Sequence, residues 1–115
     1  MIRKAEEMRL DKKFEWLGGK GEVDVIHIME KEELQNKGRF FALNVLRPGT
    51  SIGTHPHYGE IEAYYVTKGE GLLEDDGVKK PIKVGELGYL GVGKSHSIEN
   101  TGDTNLEFIA LILFE

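Results

Sequence analysis

Between Gly49 and Gly69 the chain reads GTSIGTHPHYGEIEAYYVTKG, and no other stretch limits the fold as tightly. Side chains two apart on an extended strand share a face. His55 and His57 therefore look the same way, with Cα atoms about 6.5 to 7 Å apart. Imidazoles at that spacing converge on one ion. Glu62 stands at an odd separation from His57, which on an unbroken strand would place it on the opposite face. The chain must turn between them, and Gly59 is where a turn forms without steric cost. The spacing predicts two antiparallel strands, Ser51 to His57 and Ile61 to Thr67, with the histidines presented from one side and Glu62 from the other. Glu62, Tyr64 and Val66 then share a face. A second cluster, GELGYLGVGKSHSIEN over residues 85–100, carries His96.

Fifteen glycines among 115 residues is about twice the usual share. They stand singly or in pairs between short apolar runs, which fits many tight turns and an all-β chain. The length suits one domain. A net charge of −5 and a pI near 5.4 argue against nucleic-acid binding. No apolar run approaches the roughly 18 residues of a membrane span. The charged opening MIRKAEEMRLDKK is no secretory signal, and a chain without cysteine has neither a disulfide framework nor thiolate chemistry. The expected setting is cytoplasmic, with no membrane partner.

Residues 1–13 read as a helical turn, a frayed arm or an extra strand, and residues 1–20 as an arm that packs on a partner subunit. Residues 21–115 form the single domain. Trp16, the only tryptophan, is expected in core or interface packing. Glu22 to Met29 and Arg39 to Arg47 have the β-branched and aromatic content of strands. His27 reads as a packed histidine. Asn44, the odd polar member of its strand, either lines a cavity or is a surface amide. Asp76-Gly77 marks a hairpin, Pro81 an edge position. The run Leu106 to Phe114 suits a strand buried on both faces or lying at a subunit contact.

The two clusters resemble the signature motifs of the cupin superfamily. Gly49, His55, His57, Glu62 and Gly69 fall in place for the first motif, and Gly85, Gly93, His96 and Asn100 for the second. Gly91 stands where that family usually has proline, a change in the loop and not in a ligand. The resemblance implies a double-stranded β-helix, or jelly roll, of two antiparallel sheets. It further implies that His55, His57, Glu62 and His96 hold one divalent metal inside the barrel, and that the protein is a homodimer.

Three neutral imidazoles and a carboxylate suit Mn, Fe, Ni, Co or Zn. An octahedral shell would leave two positions for water, oxygen or a ligand. A small oxygen-bearing metabolite, such as a carboxylate, sugar or phenol, is the expected partner, polarised by the metal as Lewis acid. Glu60, Tyr58 and Tyr64 are the candidate proton-transfer residues for a dioxygenase, decarboxylase, isomerase or lyase. Glu60 also reads as a solvated turn carboxylate, and Tyr64 as a core residue. The alternatives are a non-catalytic small-ligand-binding module and a protein whose metal is structural.

Overall fold

The computed structural model describes residues 1–115, folded into ten strands with three short 3-10 turns. The strands are β1 (Arg9–Phe14), β2 (Glu22–Met29), β3 (Gly38–Leu46), β4 (Ser51–Pro56), β5 (Glu60–Lys68), β6 (Glu70–Asp75), β7 (Val78–Lys83), β8 (Leu87–Leu90), β9 (Ser95–Glu99) and β10 (Leu106–Phe114). One sheet has the order β1-β2-β3-β10-β5-β8 and the other β4-β9-β6-β7, with every pair antiparallel. This is the expected jelly roll. No helix is long and apolar enough to cross a membrane.

One expectation needs correction. The two motif strands are not hydrogen-bonded neighbours. β4 lies in the four-stranded sheet and β5 in the six-stranded sheet. The chain crosses from one wall of the sandwich to the other through Tyr58 and Gly59, whose φ of +69° favours glycine. The odd separation of His57 and Glu62 is thus resolved by a change of sheet. His57 and Glu62 face each other across the interior.

The N-terminal segment is an extra strand. β1 pairs with β2 from Arg9↔His27 to Phe14↔Glu22 and extends the larger sheet. The 3-10 turns are Ala5–Glu7, Trp16–Gly18 and Lys31–Leu34. Asp76-Gly77 forms the β6–β7 turn with φ of +50° and +88°, the primed geometry that suits twisted hairpins. Pro81 lies on β7, an outer strand, where a missing N–H costs least.

Alternation sorts the side chains. Phe40, Ala42, Asn44 and Leu46 of β3 face inward, as do Leu106, Phe108, Ala110 and Ile112 of β10. In register they make rows across the sheet: Phe40, Ile112, Glu62; then Ala42, Ala110, Tyr64; then Asn44, Phe108, Val66. The two buried alanines leave space beside the Tyr64 ring. Ile52, Leu73 and Ile98 of the smaller sheet close the core from the other side. β10 therefore buries one face only. Its other face, with Ile109, Leu111 and Leu113, is half-exposed.

Candidate metal centre

His55 comes from the end of β4 and His96 from β9, with the two opposite each other in register. His57 stands just past β4 and is held by its backbone, accepting from Gly93 N at 2.7 Å and donating to Lys94 O at 3.3 Å. Glu62 projects from β5 on the opposite wall. One donor atom from each of the four lies within 4.8 Å of the others. The imidazole centroids of His55 and His96 are 4.2 Å apart, those of His57 and His96 4.7 Å, and those of His55 and His57 5.1 Å.

The hydrogen bonds fix which nitrogen faces the cluster. Nδ1 of His55 donates to Gly53 O at 2.7 Å, and Nδ1 of His57 donates to the Glu60 carboxylate. Each Nε2 is thereby left on the inner side. Glu62 Oε1 lies 2.9 Å from His57 Nε2 and 3.0 Å from His96 Nε2. Adjacent donors around an ion at about 2.1 Å stand about 3 Å apart, the spacing that Glu62 Oε1 keeps to His57 and His96. Nδ1 of His96 is buried and has no partner.

Charge is concentrated here in a buried place. His57, Glu62 and His96 are all under 4% exposed. Burial works against a charge on His57, but its bonds to Glu62 and Glu60 outweigh burial and raise its pKa. Burial alone would raise the Glu62 pKa, and its bonds from His57 and His96 lower it. His55 lacks a carboxylate partner and burial lowers its pKa. His57 and Glu62 thus offset the cost of each other's burial.

The family model described as "Cupin domain" matches residues 42–112. The chain belongs to the cupin family. An oxalate-binding protein from Thermotoga maritima is 46% identical over 113 residues, covering 98% of this chain and 93% of the relative. A crystal structure described as a predicted oxalate decarboxylase from T. maritima superposes with a TM-score of 0.96 at 45% identity, covering all of both chains. A protein from Photorhabdus luminescens superposes at 0.77 with 18% identity, over 100% of this chain and 88% of that one, which is a likeness of fold alone.

In this cupin the three proton-transfer candidates part company. Tyr58 is 78% exposed and points away from the interior. Glu60 is neither a turn residue nor solvated: it is the buried first residue of β5. Arg39 donates to it through Nε at 2.8 Å and Nη2 at 2.7 Å. The Arg39 guanidinium, against the effect of burial and with help from His57, lowers the Glu60 pKa to about 2. A carboxylate so held is a poor proton donor and a good anchor for an imidazole. Tyr64 is buried, with its OH 3.2 Å from His96 Nε2. Burial, reinforced by the nearby Glu62 carboxylate, holds its pKa well above the ordinary phenol value, so the hydroxyl stays neutral.

The other sequence features resolve as follows. His27 is packed, with its ring edge on Phe40 and a 3.1 Å bond to Asp11, and it takes no part in the cluster. Asn100 is a loop staple: its Nδ2 donates to Leu46 O and Thr104 O and its Oδ1 accepts from Gly102 N. Asn44 takes the first of its two readings and lines a cavity. That cavity, of about 380 Å³, opens onto His55, His57 and Glu62. Its walls include Trp16, Arg39, Phe40, Ile52 and Ile112.

Trp16 and Leu17 reach the cavity on a strap pressed against β4. A Cβ on Gly53 would lie 2.0 Å from Leu17 O, and one on Gly19 would lie 2.1 Å from Ser51 O. Only two glycines allow backbones to meet so closely. Glu15 and Leu17 hold left-handed φ of +48° and +56° in this strap, a conformation that costs about 1 to 3 kcal/mol per residue.

Proposed function

We propose that this cupin holds one divalent transition metal, drawn from Mn, Fe, Ni, Co and Zn, through His55, His57, Glu62 and His96, and that it binds a small carboxylate there. The observation that carries the reading is the convergence of three inward-facing Nε2 atoms and one carboxylate oxygen at the wall of an open cavity. A structural metal needs no cavity, and structural sites are closed. Bound metal would supply a Lewis acid to the ligand's oxygens. Oxalate is the first ligand to try, because the relative that matches 98% of this chain is named for binding it.

The chain's own residues suit that task. Glu60, itself held by Arg39, orients His57. Tyr64 keeps a neutral O–H donor beside the ligand cluster. That hydroxyl supports a second reading, in which the site also cleaves its ligand. Oxalate plus one proton gives formate and carbon dioxide, and Tyr64 is the group placed to deliver the proton.

Titration calorimetry of Mn(II)-loaded protein with oxalate tests the binding reading, with His57→Ala as control. Binding by wild type and none by the variant is expected. No binding by either rejects the reading. Formate release from the same mixture decides between binding and turnover.

The subunit arrangement that best suits the fold is a homodimer through the outer face of the larger sheet. Leu10, Ile26, Leu43, Ile109, Tyr65 and Leu87 stand in register across all six strands. A continuous apolar row of that length on a solvent face favours an interface.

A further inference from the structure

Oxalate is two joined carboxylates and has no apolar body to bury. The cavity beside the ligand cluster, of about 380 Å³, has apolar walls formed by Trp16, Leu17, Phe40, Ile52 and Ile112. Pockets that enclose a whole small molecule measure about 300 to 1,000 Å³ and combine such walls with a few polar groups that fix orientation. Here the polar groups are gathered at the cluster. The apolar wall starts directly beside it: Ile112 stands opposite Glu62 in register, and Phe40 opposite Ile112. At about 4.8 Å per strand, the wall runs about 10 Å from Glu62. The Phe40 ring packs against His27, with centroids 5.7 Å apart, and against Trp16, with centroids 6.2 Å apart.

Trp16 and Leu17 reach this wall on a strained backbone. Leu17 holds φ of +56° and ψ of +30°, which glycine adopts freely and leucine only under strain. Core burial does not account for the leucine. It is 48% exposed, and it stands outside the hydrophobic core on which Trp16 and Phe40 pack. What the leucine does provide is apolar surface on the cavity. Strain kept in this way, and held in place by surrounding structure, is found at ligand clamps. The surrounding structure here is the close backbone approach of the strap to β4 at Gly19 and Gly53.

We propose that the strap is an apolar clamp, and that the ligand is a carboxylic acid larger than oxalate, with an aromatic body. Its carboxylate and an adjacent oxygen sit at the ligand cluster. Its ring lies along Ile112 and Phe40 and against Trp16 and Leu17. The inference rests on the carboxylate reading above and adds the chemical class of the rest of the ligand.

Titration calorimetry on Mn(II)-loaded protein with oxalate, glycolate and each enantiomer of mandelate tests this. Glycolate and mandelate share a 2-hydroxy acid head and differ by a phenyl ring. Wild type should bind one enantiomer of mandelate at least about tenfold tighter than glycolate, the gain expected from burying a ring. Trp16→Ala should bring the two within about threefold. Leu17→Gly should reduce the preference at least about threefold, with no fall in the melting temperature of the metal-free protein. Wild-type affinities for glycolate and both mandelates within about threefold of one another overturn the inference, whether or not the variants fold. Where oxalate or glycolate still binds, that result leaves the carboxylate reading standing; where no acid binds, both fall. A mandelate preference that survives Trp16→Ala overturns the clamp. So does a melting temperature lowered by Leu17→Gly, which would make the leucine structural. A mandelate preference with no oxalate binding supports the clamp and removes oxalate alone.

Discussion

Arg39 clasps Glu60 through two hydrogen bonds, of 2.7 and 2.8 Å, and the same carboxylate accepts the Nδ1 proton of His57. The chain from guanidinium to carboxylate to imidazole sets the direction in which His57 Nε2 points. Partners of this kind behind a metal-binding histidine are worth about 10- to 100-fold in affinity. Glu60→Ala should weaken Mn(II) binding by about that factor, read by competition with a chelating dye, and Arg39→Ala should act in the same direction but less. Unchanged affinity in Glu60→Ala would show that the carboxylate does not position His57 for the metal.

The strap that carries Trp16 and Leu17 depends on bare backbone at Gly53. Gly53→Ala puts a methyl 2.0 Å from Leu17 O. Relief requires moving the strap, at a cost of about 1 to 3 kcal/mol. The melting temperature should fall by at least about 4 °C and ligand affinity should fall with it. Gly18→Ala has no atom within 4 Å and only a φ of +86° to contend with, so its loss should be smaller, about 1 kcal/mol. Equal losses would mean that crowding at Gly53 is unimportant.

Asp24 on β2 ties β1 to the residue just past β3, accepting from Lys12 Nζ at 3.1 Å and Arg47 Nη2 at 3.0 Å. Burial works to raise its pKa, and those two bonds lower it on balance. A depressed folded-state value contributes stability that is complete above the unfolded pKa of about 3.9 and is lost as pH falls through the folded one. Lys12 and Arg47 are half-exposed, so the contribution is about 1 kcal/mol. Asp24→Asn should be less stable than wild type by that amount at pH 7 and nearly equal to it at pH 2, in denaturant titrations of the metal-free protein. A difference that stays constant from pH 7 to pH 2 would show that the charge of Asp24 is not the cause.

The proposed homodimer is open to a single substitution. Tyr65 is the fifth of the six residues in the outer apolar row and is 48% exposed. Tyr65→Lys places a charge there, so light scattering should give a dimer mass for wild type and a monomer mass for the variant. A wild-type monomer at micromolar concentration would refute the interface.

Much of the site was legible because period-two alternation and glycine spacing act locally. His55, His57, Glu62 and His96 could be named from parity and spacing together with the resemblance, and the structure brings all four together. What failed was whatever depended on a choice between sheets. A turn at Gly59 serves a hairpin and a crossing between walls equally well, and local sequence cannot distinguish them. Glu60 looked solvated because its partner Arg39 is distant in sequence and is met only where β10 brings β3 and β5 into one sheet. Trp16 and Asn44 carried a polarity or size signal, but which cavity they would line depended on the packing of β3 against the strap.

The central claim is a metal held by four named residues. Elemental analysis of the purified protein, after loading with Mn(II) at pH 7.5 and removal of excess, tests it most directly. Wild type should retain one equivalent per chain, and His96→Ala and Glu62→Gln should retain almost none while keeping the β-sheet circular dichroism of wild type. Wild type that holds no metal, or variants that hold as much as wild type, would contradict it.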